Sequence, residues 1–209
     1  MAVSVSVSVM AHPKRADMVK DLAWRIGEDV PVVWDRCDDE WDTGARAWEM
    51  HDRHASHHLV LQDDALPCAG LRAGLSHVLS EVPPNSPVSL YYGKLRPVRT
   101  VARIAHLKAQ EMQASYIVGR QIFWGVGIIL PTADIPQLLA WAQGRYEPYD
   151  RRISKWYEQR GIPVYYPHPS PVDHRGDDSI LQHHARRRCH EHTAGELRYQ
   201  RVTGPVVQL

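Results

Sequence analysis

The feature that most constrains this chain is Leu59-Val60-Leu61 followed at once by Gln62-Asp63-Asp64. A short, continuous apolar run reads as a strand buried on both faces, which places it inside a parallel sheet covered by helices. Two carboxylates then stand at the strand's carboxyl end, the edge where open α/β sheets bind ligands. Adjacent carboxylates repel each other unless protons or a cation compensate, and their oxygens suit Mg²⁺ or Mn²⁺. Such a cation can bridge two phosphates and neutralise a departing diphosphate. Taken alone, the motif also fits a solvated turn, because Asp is common in turns.

The flanking pattern supports the strand reading. Val3, Val5, Val7 and Val9 alternate with Ser4, Ser6 and Ser8, so Ala2 to Met10 reads as a strand rather than the continuous apolar run of a signal peptide. Met18, Leu22 and Ile26 recur at helical spacing and predict a helix from Lys14 to Ile26, ended by Gly27. Val30 to Trp34 reads as a second strand closing in an acidic turn, Asp35 to Asp42. A helix from Thr43-Gly44 to about His57 then leads into the apolar strand. A third helix after Pro67, to about Glu81, precedes a strand at Val88 to Tyr92. This alternation predicts an α/β fold, a Rossmann-like, mostly parallel central sheet flanked by helices. Further on, strands are expected at Ala114 to Val118, Val126 to Leu130 and Val164 to Tyr166. Helices are expected near Pro136 to Gln143 and Arg151 to Arg160. The expected domain spans residues 1–181, and residues 182–209 read as a polar, His- and Arg-rich tail with little core.

Composition removes several alternatives. At 209 residues the chain suits one domain. Its 25 Lys and Arg against 24 Asp and Glu exclude a protein that depends on wrapping a long polyanion, although Arg96, Arg99, Arg103 and Lys108 form a local basic stretch. Cys37, Cys68 and Cys189 are far apart and odd in number, which suits a reducing compartment and argues against a disulfide framework. No stretch has the length of a membrane span, so the expected location is cytoplasmic, without a membrane partner.

Three further segments follow the Asp pair in fixed order: Trp124-Gly125 through Pro131, Tyr149-Asp150-Arg151-Arg152-Ile153, and Pro169-Ser170-Pro171-Val172-Asp173-His174-Arg175. In this order the chain resembles the glycosyltransferase family that includes collagen galactosyltransferases and bacterial lipooligosaccharide glycosyltransferases. It looks still closer to short, phage-encoded glycosyltransferases related to them. The resemblance spans most of residues 2–181, but only the Asp pair, the Trp-Gly segment and the Pro-Ser-x-x-Asp-His segment are specific. It implies a GT-A fold, a UDP-sugar donor, Mn²⁺ or Mg²⁺, and transfer of a hexosyl group to an acceptor hydroxyl. Its phage-like side implies an acceptor such as a modified base in DNA or a virion protein, met in the host cytoplasm. The chain departs from the family at Gln62, where an acid usually completes an acid-Asp-Asp run.

The resemblance and the residue chemistry together assign candidate roles. Asp64, Asp63 and His174 are the expected metal ligands, an imidazole with carboxylate oxygens being suited to Mn²⁺. Asp150 is the expected general base, with a helix N-cap as the competing reading and Glu147, Asp177 and Asp178 in reserve. Donor contacts are expected from His12 and Arg15 after the first strand, Asp35 and Arg36 after the second, Gly44 and Arg46, and from Gln62, Asp63, Trp124 and Gly125. His51, His54, His57 and His58 read as a surface helix end rather than a metal tract, and Cys189-His190-Glu191-His192 as part of the tail. Two other functions compete. One is a non-catalytic module binding a nucleotide-sugar or nucleic acid. The other is a sugar nucleotidyltransferase, which needs a Gly-rich basic loop that Ala11-His12-Pro13-Lys14-Arg15 lacks.

Overall fold

A computed structural model describes residues 3–27, 29–93, 99–175 and 206–208. The chain runs β1 (Val5–Ala11), a 3-10 turn (Pro13–Arg15), α1 (Ala16–Ile26), β2 (Val32–Trp34), α2 (Glu40–Glu49), β3 (His57–Gln62), β4 (Ala65–Pro67), α3 (Leu71–Ser80) and β5 (Val88–Ser89). It continues with α4 (Arg99–Glu111), β6 (Tyr116–Gly119), β7 (Gly127–Pro131), a second 3-10 turn, α5 (Ile135–Ala142), α6 (Tyr149–Glu158), β8 (Val164–Pro167), β9 (Val172–His174) and β10 (Val206–Gln208). Eight strands form one sheet in the order β10-β6-β8-β5-β7-β3-β1-β2, while β4 and β9 form a separate ribbon. Four neighbouring pairs in the large sheet are parallel and three antiparallel, so the expected mostly parallel α/β fold is present with a mixed half.

Period-two side-chain direction divides the interior into two cores. Leu59 and Leu61 of β3 and Ile129 of β7 pack with Val7, Val9, Leu22, Leu71 and Leu75, under α1 and α3. Val60, Ile128 and Leu130 point the other way, onto Trp48, Leu138, Ile153 and Trp156 of α2, α5 and α6. The Leu59-Val60-Leu61 run is therefore continuous because helices cover both faces of its strand.

Several elements differ from the sequence expectation, each for a local reason. Helix α2 starts before Thr43 because Asp39 caps it, accepting from the Trp41 and Asp42 N–H groups at 2.8 and 3.2 Å. The helix stops at Glu49, and His57 and His58 belong to β3, so they are buried rather than at a surface helix end. His58 is accommodated by Ser6 Oγ at Nδ1 (2.8 Å), and by Ser8 Oγ (3.0 Å) and the Ala47 carbonyl (3.1 Å) at Nε2. The serines that alternate with valine in β1 thus face a buried imidazole, not water. Helix α4 carries Arg103 and Lys108, whose stretch had suggested no element, and buries Ala102, Ala105 and Ala109 instead of large side chains. Strand β7 enters antiparallel between β3 and β5, which the apolar pattern of Val126 to Leu130 could not distinguish from a parallel insertion. Most of the expected tail lies outside the described residues. At its end, however, Val206–Gln208 pairs parallel with β6 and buries Val207.

Two stability predictions follow from these contacts. Burial pushes His58 down to about 4, against about 6.5 for a histidine in an unfolded chain. The unfolded chain therefore binds the proton first as pH falls, and stability present above pH 6.5 is lost between 6.5 and 4. The loss is roughly 3 kcal/mol at most. Urea unfolding from pH 7.5 to 4.5 is expected to show a flatter pH dependence in His58→Gln than in the wild type. An unchanged dependence rejects the neutral buried imidazole. At the far edge of the sheet, Val207→Asp is expected to cost about 2 kcal/mol by burying an unpaired charge, seen as a lowered urea midpoint.

Candidate functional site

Parallel pairing of β3, β1 and β2 brings three chain reversals to one edge of the sheet. Met10 lies opposite Gln62 and Ala11 opposite Trp34, so His12, Asp35 and Asp63 all leave the sheet on the same side. The β4–β9 ribbon then adds a fourth segment, because Ala65 pairs with His174 and the Arg175 N–H donates to the Asp64 carbonyl at 2.9 Å. Residues 110 positions apart thus meet at the carboxylate pair.

Both carboxylates are buried and compensated. Arg15 Nη1 donates to Asp63 Oδ1 at 2.7 Å and to Asp64 Oδ2 at 2.6 Å, and the His12 backbone N–H donates to Asp63 Oδ2 at 2.7 Å. His174 Nε2 lies 3.1 Å from Asp64 Oδ2. Burial pushes the Asp64 carboxyl up, yet His174 and Arg15 outweigh it and hold its pKa below the usual value. For Asp63 burial wins, and its pKa is raised despite the hydrogen bonds from His12 and Arg15. The Arg15 guanidinium is opposed by its own burial, but the charges of Asp64 and Asp63 raise its pKa overall.

These donors fit a divalent metal on their own chemistry. His174 Nδ1 is engaged by the Arg175 carbonyl, an acceptor, so that nitrogen carries the hydrogen. With Nδ1 so engaged, Nε2 faces Asp64 Oδ2 at 3.1 Å across a shared hydrogen, whose place a divalent cation would take. Asp64 Oδ1 is also buried with no hydrogen-bond partner among the described residues. Asp63, Asp64 and His174 carry oxygen and imidazole donors of the kind Mn²⁺ takes, with Arg15 as the cation already there, whereas among the described residues only His12, Asp35 and Asp38 bring three such ligand atoms within 4.8 Å of one another.

A second group of side chains adjoins the pair. Gln62 Nε2 donates to Glu40 Oε1 of α2 at 2.9 Å. The Tyr149 ring of α6 is held between two glycines: a Cβ at Gly44 would collide with it, and one at Gly125 would stand 3.0 Å from both its Cδ1 and Gln62 Nε2. Asp150 follows Tyr149 in the first turn of α6. It does not cap the helix, whose N-cap is Pro148, and its Oδ1 accepts from the Arg151 N–H at 2.7 Å. Burial lifts Asp150 to about 6, while burial and then the charge of Asp150 lift Glu40 to about 7. Trp124 closes this side, its ring edge-on to Tyr91, Tyr92 and Tyr166.

The remaining candidates form a third group, on the β2–α2 connection. Asp35 accepts from the N–H groups of Cys37 (3.0 Å) and Asp38 (2.7 Å) and from Thr43 Oγ1 (3.0 Å), which orders the turn. Arg36 and Arg46 both pair with Asp42, at 3.0 and 2.9 Å. His12 Nε2 meets Asp38 Oδ1 at 3.1 Å, so one ligand atom each from His12, Asp35 and Asp38 lie within 4.8 Å of one another. Glu147 is tied to Lys155 at 2.7 Å, and Asp177 and Asp178 lie outside the described residues. No sequence pattern singles out Glu40, the acid that meets Gln62. It hides among five acids between positions 35 and 42, and no spacing distinguishes it from its neighbours.

No protein-family profile and no curated protein matches the chain. Among solved structures it is similar to the catalytic domain of Drosophila β1,4-galactosyltransferase 7 in complex with xylobiose. That match has 12% identity and a TM-score of 0.46, over 89% of this chain and 74% of that one. A mutant of that enzyme in complex with manganese, UDP-Gal and xylobiose matches at 11% identity and a TM-score of 0.44, over 90% and 83% of the two chains. A glycosyltransferase involved in glycosylation of the major capsid of PBCV-1 matches at 10% identity and a TM-score of 0.44, over 83% of this chain and 94% of that one.

Proposed function

We propose that this chain is a metal-dependent glycosyltransferase that moves a sugar from a UDP-sugar to an acceptor hydroxyl, with inversion at the anomeric carbon. The observation that carries this reading is the buried Asp63–Asp64 pair at the carboxyl end of β3, with His174 Nε2 3.1 Å from Asp64. Asp63, Asp64 and His174 would hold Mn²⁺ or Mg²⁺, which when bound supplies charge neutralisation for the departing diphosphate. Arg15 adds a fixed positive charge on the same side. His12, Asp35, Arg36 and Arg46 line the β1 and β2 ends, where the nucleotide would lie, and Gln62, Trp124 and Gly125 line the side toward Asp150, with Gly44 packed behind Tyr149. Asp150 serves as the base: raised to about 6, it is ionised at neutral pH and still basic enough to accept the proton of an acceptor hydroxyl. The phage-like resemblance points to a modified DNA base or a virion protein as acceptor, and to the host cytoplasm as the setting. Among the described residues no helix is long and apolar enough to cross a membrane.

A second reading has one observation in its favour. Arg15 already contacts both carboxylates, so a module that binds a nucleotide-sugar without metal or turnover fits that contact as well. The two readings differ in calorimetry of UDP with Mn²⁺ and then with chelator. UDP affinity is expected to fall at least tenfold on chelation and in Asp64→Ala, about 1.4 kcal/mol. Equal affinity in all three measurements rejects the metal bridge.

For the base, Asp150→Asn keeps shape and hydrogen-bond acceptance, so UDP and Mn²⁺ binding are expected to persist. Sugar transfer is expected to drop by about two to four orders of magnitude. In the wild type kcat/KM is expected to decline below about pH 6, as Asp150 takes up its proton. Full activity in Asp150→Asn moves the base elsewhere.

A further inference from the structure

Helix α4 is built the wrong way round for a helix that serves only the core. Its inward face carries Ala102, Ala105 and Ala109, at 0, 4 and 0% exposure, whereas Val101, Ile104 and Leu107 stand outward at 51, 61 and 53%. Small residues on the inside let the helix lie close to β6 and β10. The larger aliphatic side chains, which would stabilise the fold if buried, are left in solvent instead. A single exposed aliphatic is ordinary, but three at successive three-residue steps form one stripe along the helix. Elsewhere among the described residues, no helix exposes two large apolar side chains.

Charge selects the partner for this stripe. Residues 94–108 contain five Lys and Arg and no Asp or Glu, in a chain whose totals nearly cancel. At 3.6 residues per turn, Ile104 and Leu107 lie between exposed Arg103 on one side and exposed Lys108 on the other. An aliphatic stripe edged by long basic side chains matches the interface of an anionic bilayer. The aliphatic groups enter the acyl boundary while the cations reach the headgroup phosphates. Other occupants fit less well. Two copies joined through this face about a two-fold axis would set one cationic rim against the other. Residues 176–205 hold more Arg than Asp and Glu together, so they bring no opposing charge. A nucleic-acid backbone would engage the cations but has nothing for the aliphatic stripe. A helix that lies in the interface plane need not be long enough to cross it, so the absence of a spanning helix among the described residues does not bear on this contact.

We propose that α4 is a membrane-docking face: it lays Val101, Ile104 and Leu107 into the interface of a bilayer rich in anionic lipid, with Arg103 and Lys108 on the headgroups. This goes beyond the transferase reading and does not depend on it. The face adjoins the candidate site nonetheless. The Tyr92 hydroxyl donates to the Ala102 carbonyl of α4 at 3.0 Å, and the Tyr92 ring is edge-on to Trp124. One aromatic side chain therefore separates the docking helix from the wall of the site.

The test is cosedimentation of the full chain with vesicles of phosphatidylcholine alone, and of phosphatidylcholine with roughly a third phosphatidylglycerol. The wild type is expected to bind the anionic vesicles at least tenfold more tightly than the neutral ones. Most of that difference should vanish between about 0.1 and 1 M salt, as the Debye length falls from about 10 to 3 Å. Ile104→Gln with Leu107→Gln keeps every charge and is expected to weaken binding at least tenfold. Arg103→Gln with Lys108→Gln keeps the aliphatic stripe and is expected to erase the preference for anionic lipid. Both double variants should melt within a few degrees of the wild type, since the altered side chains are exposed. A large drop in melting temperature would show that the stripe is packed in solution, which overturns the proposal. It is also overturned by a wild type that sediments with neither vesicle, or by binding that survives the loss of Ile104 and Leu107. Analytical ultracentrifugation separates a second copy: a wild-type dimer that the Ile104→Gln, Leu107→Gln variant splits assigns the stripe to self-association. A duplex oligonucleotide that displaces the chain from anionic vesicles assigns the cationic rim to nucleic acid. Either result overturns membrane docking.

Discussion

The structure turns on the cost of burying Asp63 and Asp64 side by side. Two adjacent carboxylates taken out of water demand compensation, and the fold supplies it from both ends of the chain. Arg15 enters from the turn after β1 and the His12 N–H from the same loop, while His174 arrives on β9, more than a hundred residues later. The β4–β9 ribbon exists to make that last approach possible. It pairs Ala65 with His174, and the Arg175 N–H closes on the Asp64 carbonyl. The covering aromatic cluster follows from the same geometry, since the His174 ring lies against Tyr91, whose other neighbour is Trp124.

Much of this was legible in the sequence, and the parts that were not share a cause. The run Leu59 to Leu61 announced a doubly covered strand because every residue in it is apolar, and the acids after it marked the sheet edge. His174, Asp150, Trp124 and Gly125 stand out only through the resemblance of their ordered segments to a glycosyltransferase family. What stayed hidden depends on pairing across long separations, which no local period records. Ser6 and Ser8 look solvent-facing until His58 is known to lie beside them, and His58 looks like part of a surface tract until β3 is seen to begin at His57. Strand β10 is three residues at the end of a polar segment, and its partner β6 lies ninety positions earlier. Asp42 carried no signal of its own, but its pairing with both Arg36 and Arg46 binds two expected phosphate contacts to an existing acid. Those arginines must exchange Asp42 for phosphate if they are to serve a donor.

The glycines of the site illustrate how absence of a side chain can carry position. Neither Gly44 nor Gly125 has a positive φ, so conformational freedom does not explain them. Each is a contact requirement instead: both give their space to the Tyr149 ring, and Gly125 also to Gln62. A methyl group at Gly44 would force the Tyr149 ring to shift, next to Asp150 in the first turn of α6, whereas one at Gly125 would crowd both that ring and the Gln62 amide. The glycine of the Trp-Gly segment therefore has a steric reason, close approach to the ring that precedes Asp150.

The carboxylates of the site divide by environment into two kinds. His174 and Arg15 hold the Asp64 pKa down against its own burial, so this end of the site favours the ionised carboxylate. Glu40 and Asp150 have no cation close enough to offset burial fully, since Arg151 reaches Asp150 alone, and their pKa values rise toward neutrality. The same residue type thus stays charged at one end and exchanges protons at the other. The transfer proposed above would use that asymmetry, because a leaving diphosphate must meet positive charge while an acceptor hydroxyl must lose a proton. Gln62 lies on the boundary, and its neutrality is what allows a carboxylate from α2 to approach. An acid at position 62 would place a third charge against Asp63 and Asp64 and a repulsive partner against Glu40. The amide at the end of β3 and the acid at the start of α2 are therefore two halves of one arrangement.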